Sequence, residues 1–281
     1  MPVRSVELDL PFARICEQDL GLLTVSDHSL MPRPGVPPRL AKGELVAALR
    51  ARRRSLARFG VGLLAGTLLA FGFLTESLWN SRPIIDLDRE FAELLHERAT
   101  PALTHLFEAI SSLGSSHALA AVALIAVAVL VSRRQLLDAL VVVVALVGAE
   151  IINAAVKDGF ERERPVFADP IARRASGFSF PSAHAGASMA VYGALAFLLS
   201  RDRRSTRTRV GCFVGAALLV GGIGFSRLYL GAHYLSDVLA GFTLGLGWAT
   251  LVVLLIGWAR NATGAIAHRD EAGAQIQRDR R

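Results

Sequence analysis

Phe59 to Leu78 reads FGVGLLAGTLLAFGFLTESL, an apolar run of about the twenty residues that an α-helix needs to cross a bilayer's hydrocarbon core. Directly before it stands LRARRRSLAR, residues 49–58. Arginines flanking a span mark its cytoplasmic end, so the chain is expected to enter the membrane from inside. The more than fifty mostly polar residues upstream are not the layout of a cleavable signal peptide, and the span is expected to stay in the mature protein. With 52% hydrophobic residues among 281 and a mean hydropathy of +0.43, the chain is too apolar for an ordinary soluble domain.

Working outward, five further apolar blocks follow: His117–Val131, Leu136–Val156, Ala183–Leu199, Val210–Phe225 and Asp237–Trp258. Arginine clusters at 52–58, 133–134 and 201–209 then all fall on one side, which satisfies the positive-inside rule with both termini cytoplasmic. Between the first two spans, Leu87, Phe91, Leu94 and Leu95 recur at helical spacing, and so do Leu103, Leu106, Phe107 and Ile110 after Pro101. This spacing predicts two short amphipathic helices at the outer interface. The fold class is thus all-α: a polytopic membrane protein of six transmembrane helices with short interfacial helices. Residues 1–58 are expected to form a cytoplasmic tail, partly disordered, with an extended linker at Met31–Arg39. Residues 59–258 form the core and 259–281 a cytoplasmic C-terminal tail.

The formal charge of +7 sits in short clusters between apolar blocks and accompanies no nucleic-acid-binding motif, so nucleic acid is excluded as a partner. Cys16 and Cys212 are too far apart in character to suggest a disulfide framework or a zinc site. Within the third span Glu150 and Asn153 interrupt an apolar helix and are expected to face the bundle interior.

Three polar segments carry the chemistry, and the topology places all of them at the extracytoplasmic face. In KDGFERERP, residues 157–165, Lys157 offers a point charge and Arg164 a planar fork for phosphate oxygens. The plain alternative is a basic cluster on lipid headgroups. In SFPSAHAGAS, residues 179–188, Pro181 and Ser182 open a span whose free N–H groups and positive dipole end suit an anion. Ser182 and the Ala183 N–H would hold a phosphate oxygen and His184 would protonate a leaving group. A simple N-cap and an interfacial histidine read equally well there. In SRLYLGAHYLSDVLAG, residues 226–241, His233 and Asp237 are four apart and share a face if the helix has begun, so that the carboxylate orients the imidazole beside Arg227. Together these residues make a clamp, an acid and an oriented nucleophile, the set needed for phosphoryl transfer.

K-x6-R-P, P-S-A-H and S-R-x5-H-x3-D in this order resemble the three-part signature of the type 2 phosphatidic acid phosphatase (PAP2) superfamily, which covers lipid phosphate phosphatases, undecaprenyl-diphosphate phosphatases and soluble vanadium haloperoxidases. The motifs run from Lys157 to Asp237, and the span layout resembles the membrane members from Phe59 to Trp258. Ala183 stands where the family usually has glycine; it keeps the backbone N–H, whose donation to phosphate is expected to survive unless the position requires a positive φ.

The resemblance implies that His233 attacks phosphorus to give a phosphohistidine, with Asp237 fixing its tautomer and His184 serving the leaving oxygen and then water. Lys157, Arg164, Ser182, Ala183 and Arg227 would hold the phosphoryl oxygens, with no cofactor and no metal. It further implies a hydrolase in a bacterial inner membrane acting on a lipid phosphate or diphosphate: undecaprenyl diphosphate first, then phosphatidic acid or phosphatidylglycerol phosphate. The competing classes are a non-catalytic lipid-phosphate carrier and a vanadate-dependent haloperoxidase. Arg162, Arg173 and Arg174 stay open between a second phosphate, a lipid headgroup and pairing with Glu161, Glu163 or Asp169.

Overall fold

The computed structural model describes residues 42–171, 176–201, 203 and 205–279. Among these there are eight α-helices and no strand: α1 (Lys42–Asn80), α2 (Arg82–Glu97), α3 (Pro101–Ser112), α4 (Ser116–Ser132), α5 (Leu136–Phe160), α6 (Ala183–Arg201), α7 (Thr206–Tyr229) and α8 (Leu235–Asp279). Five contain stretches long and apolar enough to span a membrane: Arg54–Leu78, Leu136–Phe160, Ala183–Arg201, Thr206–Tyr229 and Leu235–Arg260. A sixth exists when α3 and α4, bent by 45° at a short break, are taken as one span. Leu69, Leu124 and Leu218 are 70% or more exposed, the outward apolar surface expected of helices solvated by lipid tails.

The helix ends differ from the sequence expectation in ways that matter for the site. Helix α1 begins at Lys42, inside the segment read as a tail; the linker at 31–39 and Cys16 lie outside the described residues. Lys157 belongs to the last turn of α5 rather than to a loop, and Arg227 to the last turn of α7. Segment α3, read as a second interfacial helix, is set at 45° to α4 across a break of a few residues. Thr100 caps it, accepting from the Leu103 N–H, with Pro101 in its first turn. At the break the Ile223 side chain of α7 packs against Gly114, where a Cβ would lie 2.4 Å from Ile223 Cγ2. Tyr192 of α6 donates to the Leu113 carbonyl at 2.8 Å and fixes the same turn.

Helix α6 is the centre of the bundle, packed against α5, α7 and α8. Its seam with α8 is made of small residues. A Cβ on Gly245 would fall 2.2 Å from the Gly186 carbonyl oxygen, and one on Gly241 2.6 Å from that of Ser182. In lipid, where the hydrophobic effect does not drive helices together, such close backbone approach is a main source of association. At the end of the bundle away from Lys157, Asp138 of α5 accepts from Arg201 of α6 at 2.6 Å and from Arg260 of α8. One buried carboxylate thereby ties three spans.

Of the two polar residues inside α5, Asn153 is buried, as expected. Glu150 is only half-buried and accepts from Ser116 of α4 at 2.9 Å. Helix α2 holds a larger departure. Phe91 and Leu95 pack inward, but Leu87 and Leu94 are exposed, and the residue most deeply buried on this helix is Asp88, 2% exposed.

Candidate active site

Glu161 ends α5 in a left-handed conformation, φ 46°, uncommon for a residue with a side chain. It turns the following loop back over the helix end, where the Ser179 N–H meets the Arg162 carbonyl at 2.7 Å. Lys157 donates from this last turn to the Phe178 carbonyl at 2.6 Å. Arg164 stitches the loop to the α7–α8 turn. Its Nε donates to the Gly177 carbonyl at 2.9 Å, its Nη2 to the Phe178 carbonyl at 3.1 Å and its Nη1 to the Ala232 carbonyl at 2.7 Å. That same Nη1 lies 3.1 Å from His233 Nε2.

The α7–α8 turn needs Gly231 at φ 63°, where Phe167 also sits close, a conformation open to glycine at no steric cost. It delivers His233, 3% exposed, one residue ahead of Tyr234 and the first turn of α8. The expectation that His233 and Asp237 share a helix face is therefore corrected: His233 precedes the helix. Asp237 sits at the third helical position and reaches back to the Tyr234 N–H at 2.8 Å, the acidic half of a capping box.

Its coupling to the histidine is mostly through Ser179. Asp237 Oδ2 is 3.6 Å from His233 Nδ1, too long for a good hydrogen bond. The Ser179 hydroxyl donates to Asp237 Oδ2 at 2.5 Å and lies 3.3 Å from His233 Nδ1. Since the serine proton is given to the carboxylate, its oxygen accepts from Nδ1–H, which leaves the Nε2 lone pair directed toward Arg164. Burial pushes the His233 imidazole down to about 4, against the pull of Asp237 and with Arg164 and Arg227 adding to the downward shift. The ring is neutral at pH 7. Burial also holds the Arg164 guanidinium below its ordinary value, with Asp237 opposing.

Helix α6 brings the middle segment to the same place. The Ser182 N–H donates to the Asp237 carbonyl at 3.0 Å, so the start of α6 is hooked to the first turn of α8. Pro181 precedes the helix rather than occupying its first turn. Positive φ occurs among the described non-glycine residues at Arg134 and Glu161, not at Ala183, so alanine serves this position without strain. Ser182 is fully buried and its hydroxyl has no protein partner; neither does the buried Nε of Arg227. Two orphaned donors on one cluster are what a site for an anion presents. Arg227 is steadied by Nη1 donating to Ser111 Oγ at 2.8 Å. His184 lies within electrostatic reach of Arg227, His233, Arg164 and Lys157.

All eight residues read from the sequence thus converge. Three others, Asp88, Ser179 and Ser236, escaped it, and Arg162, whose role the sequence left open, joins them. Rather than with Glu161, Glu163 or Asp169, the guanidinium of Arg162 pairs with Asp88 at 2.8 Å and Asp237 at 2.5 Å. Arg173 and Arg174 lie outside the described residues. Beside the cluster, a cavity of about 560 Å³ opens between α2 and the loop, lined by Arg89, Glu93, Arg164, Phe167 and Tyr234 among others.

A helical bundle with membrane-spanning helices that gathers cations, two histidines and a carboxylate in one cluster has the make-up of a lipid phosphatase. Residues 138–261 match the PAP2 superfamily model. The chain is 33% identical over 147 residues to phosphatidylglycerophosphatase B of Bacillus subtilis, covering 52% of this chain and 71% of that protein. It is also 34% identical over 87 residues to a lipid A 1-phosphatase of Rhizobium etli, which covers 31% of this chain and 33% of that one. The crystal structure of a transmembrane PAP2-type phosphatidylglycerolphosphate phosphatase from Bacillus subtilis superposes with a TM-score of 0.62 at 27% identity, over 72% of this chain and 96% of that one. The chain belongs to the PAP2 superfamily, and it is a membrane phosphoric ester hydrolase.

Proposed function

We propose that the protein removes the terminal phosphate of a glycerophospholipid phosphate at the extracytoplasmic face, through a phosphohistidine on His233 Nε2. The observation that carries this reading is the placement of that nitrogen, 3.1 Å from Arg164 Nη1, while Ser179 and Asp237 hold the other. Nε2 attacks phosphorus as the phosphorus–oxygen bond to the lipid breaks, and His184 supplies the proton that the departing oxygen takes up. Water then attacks phosphorus as the phosphorus–nitrogen bond breaks. His184 accepts the water proton, and His233 regains its lone pair. Lys157, Arg164, Arg227, Ser182 and the Ala183 N–H offset the charge that builds on the phosphoryl oxygens.

Similarity to phosphatidylglycerophosphatase B over 71% of its length supports phosphatidylglycerol phosphate ahead of phosphatidic acid and of undecaprenyl diphosphate. Arginines at 52–58, 133–134 and 201–209 support an outward-facing site in a bacterial inner membrane. Phosphate release by the detergent-purified protein on the three lipids in parallel tests the reading. Phosphatidylglycerol phosphate is expected to turn over fastest, vanadate to inhibit, and His233→Ala to be inactive. Wild-type release no greater than that of His233→Ala would make the protein a carrier, and vanadate-dependent bromide oxidation would make it a haloperoxidase. Arg227→Lys is expected to lose at least about tenfold, because a point charge cannot keep Ser111 and reach phosphate with a fork.

A further inference from the structure

Arg162 bridges two buried carboxylates near the site, yet the chemistry just described does not use it. Nη1 donates to Asp237 Oδ1 at 2.5 Å and to Ser236 Oγ at 2.7 Å. Nη2 donates to Asp88 Oδ2 at 2.8 Å, and the guanidinium lies 4.4 Å from the centre of the Tyr234 ring. Asp88 in turn accepts from the Ser236 N–H at 2.9 Å and from the Ser236 hydroxyl at 2.5 Å. Burial works against the charge of Arg162, but Asp237 and Asp88 outweigh it and its pKa is raised. Both carboxylates are almost completely buried. Two buried anions meeting at the start of α8 require a cation between them, because a buried charge left unpaired is strongly destabilising.

We infer that Arg162, held by Asp88 of α2, is a positioning residue that orients Asp237 and limits its pull on the His233 proton. One oxygen of Asp237 is occupied by Arg162 and the other by Ser179 and the Tyr234 N–H, so the carboxylate has one rotamer and one face left for the histidine relay. Helix α2, read from its sequence as an interfacial helix, thereby becomes part of the catalytic support.

The charged groups facing His233 are Asp237 from α8, Arg164 from the loop, Arg227 from α7 and His184 from α6. Those facing Arg162 are Asp88 and Asp237, with Arg89, Glu93, Glu163 and Arg164 lining the same cavity. Removing the Arg162 charge leaves Asp237 free to stabilise the imidazolium, so His233 must titrate at higher pH.

This inference rests on His233 being the nucleophile, and the experiment separates the two. Steady-state kinetics on dioctanoyl phosphatidic acid in detergent are combined with histidine ¹⁵N NMR of the substrate-free full chain. Arg162→Gln is expected to lower kcat about 10- to 100-fold, as removal of the group that orients a metal-bound histidine does, with KM little changed. The His233 titration moves upward in the same variant. Arg162→Lys keeps the titration near wild type and recovers part of kcat. Asp88→Asn lowers kcat alone but adds nothing in the Arg162→Gln background.

An Arg162→Gln protein with kcat within threefold of wild type, or with lower kcat but an unmoved His233 titration, overturns the positioning role. Wild type that releases no phosphate from any of the lipids overturns the proposed function instead, and the NMR titration still decides the role of Arg162.

Discussion

His233 is useful because it is neutral. An exposed imidazole titrates near 6.5, and protonation at that pH would silence half of the nucleophile under mildly acidic conditions. Burial against Arg164 and Arg227 lowers His233 to about 4. The sign follows from the direction of the shift: the nucleophilic form is fully populated above pH 6, stays so through pH 5, and is lost only as pH falls through about 4. Histidine ¹⁵N spectra are expected to show one ring still carrying its proton on Nδ1 at pH 5.5, and that signal should vanish in His233→Gln. A His233 signal half-titrated at 6.5 would mean that the folded site does not desolvate the ring. At this scale the sequence already displayed the reacting groups, since a histidine, its carboxylate and the clamp all sit in short motifs. It did not display Ser179 as the link between them, because the separation of 3.6 Å between His233 Nδ1 and Asp237 Oδ2 is set by where α8 begins.

At the scale of elements, the site depends on how closely α6 and α8 approach. Gly186 and Gly245 stand backbone to backbone, and the Ser182 N–H reaches the Asp237 carbonyl at 3.0 Å. Gly245→Ala places a methyl group 2.2 Å from the Gly186 carbonyl oxygen, which neither backbone can yield without the helices moving apart. The expected cost is about 1–3 kcal/mol, typical of overpacking, read as a lower midpoint for thermal unfolding in detergent. Phosphate release should fall with it, because the hook between the middle and last motifs opens. An unchanged midpoint would show that the seam tolerates a side chain. Periodicity in α2 put Leu87, Phe91, Leu94 and Leu95 on one apolar side of an interfacial helix; it did not separate Phe91 and Leu95, which pack inward, from the exposed Leu87 and Leu94, and could not single out Asp88. A carboxylate finds a partner 74 residues away in sequence only after the chain has folded, and helical spacing is blind to such pairs.

The whole molecule has two different ends. One collects the clamp, the histidines and the cavity beside α2; the other closes with Asp138 bridging Arg201 and Arg260 near the arginine-rich connections. If the arginine-rich end is cytoplasmic, a cysteine at the exposed Asp169 will react with a membrane-impermeant maleimide in intact cells. One at the exposed Arg203 will react only after lysis, both in a chain whose Cys16 and Cys212 are replaced by serine. The reverse pattern would place the site on the inside and exclude an outer-leaflet substrate.

Much of this plan was legible without coordinates. Apolar blocks of spanning length, the arginines between them and three polar motifs determine a multi-span bundle with its chemistry at one end, because bilayer thickness and the cost of unpaired polar groups act on local sequence. The tertiary structure decided how those motifs meet: the bend at Gly114, the start of α8 after rather than before His233, Ser179 between histidine and aspartate, and Arg162 between two buried carboxylates. Those features arise from contacts between distant segments, where a buried charge takes whatever partner the packing supplies and no local pattern records the choice.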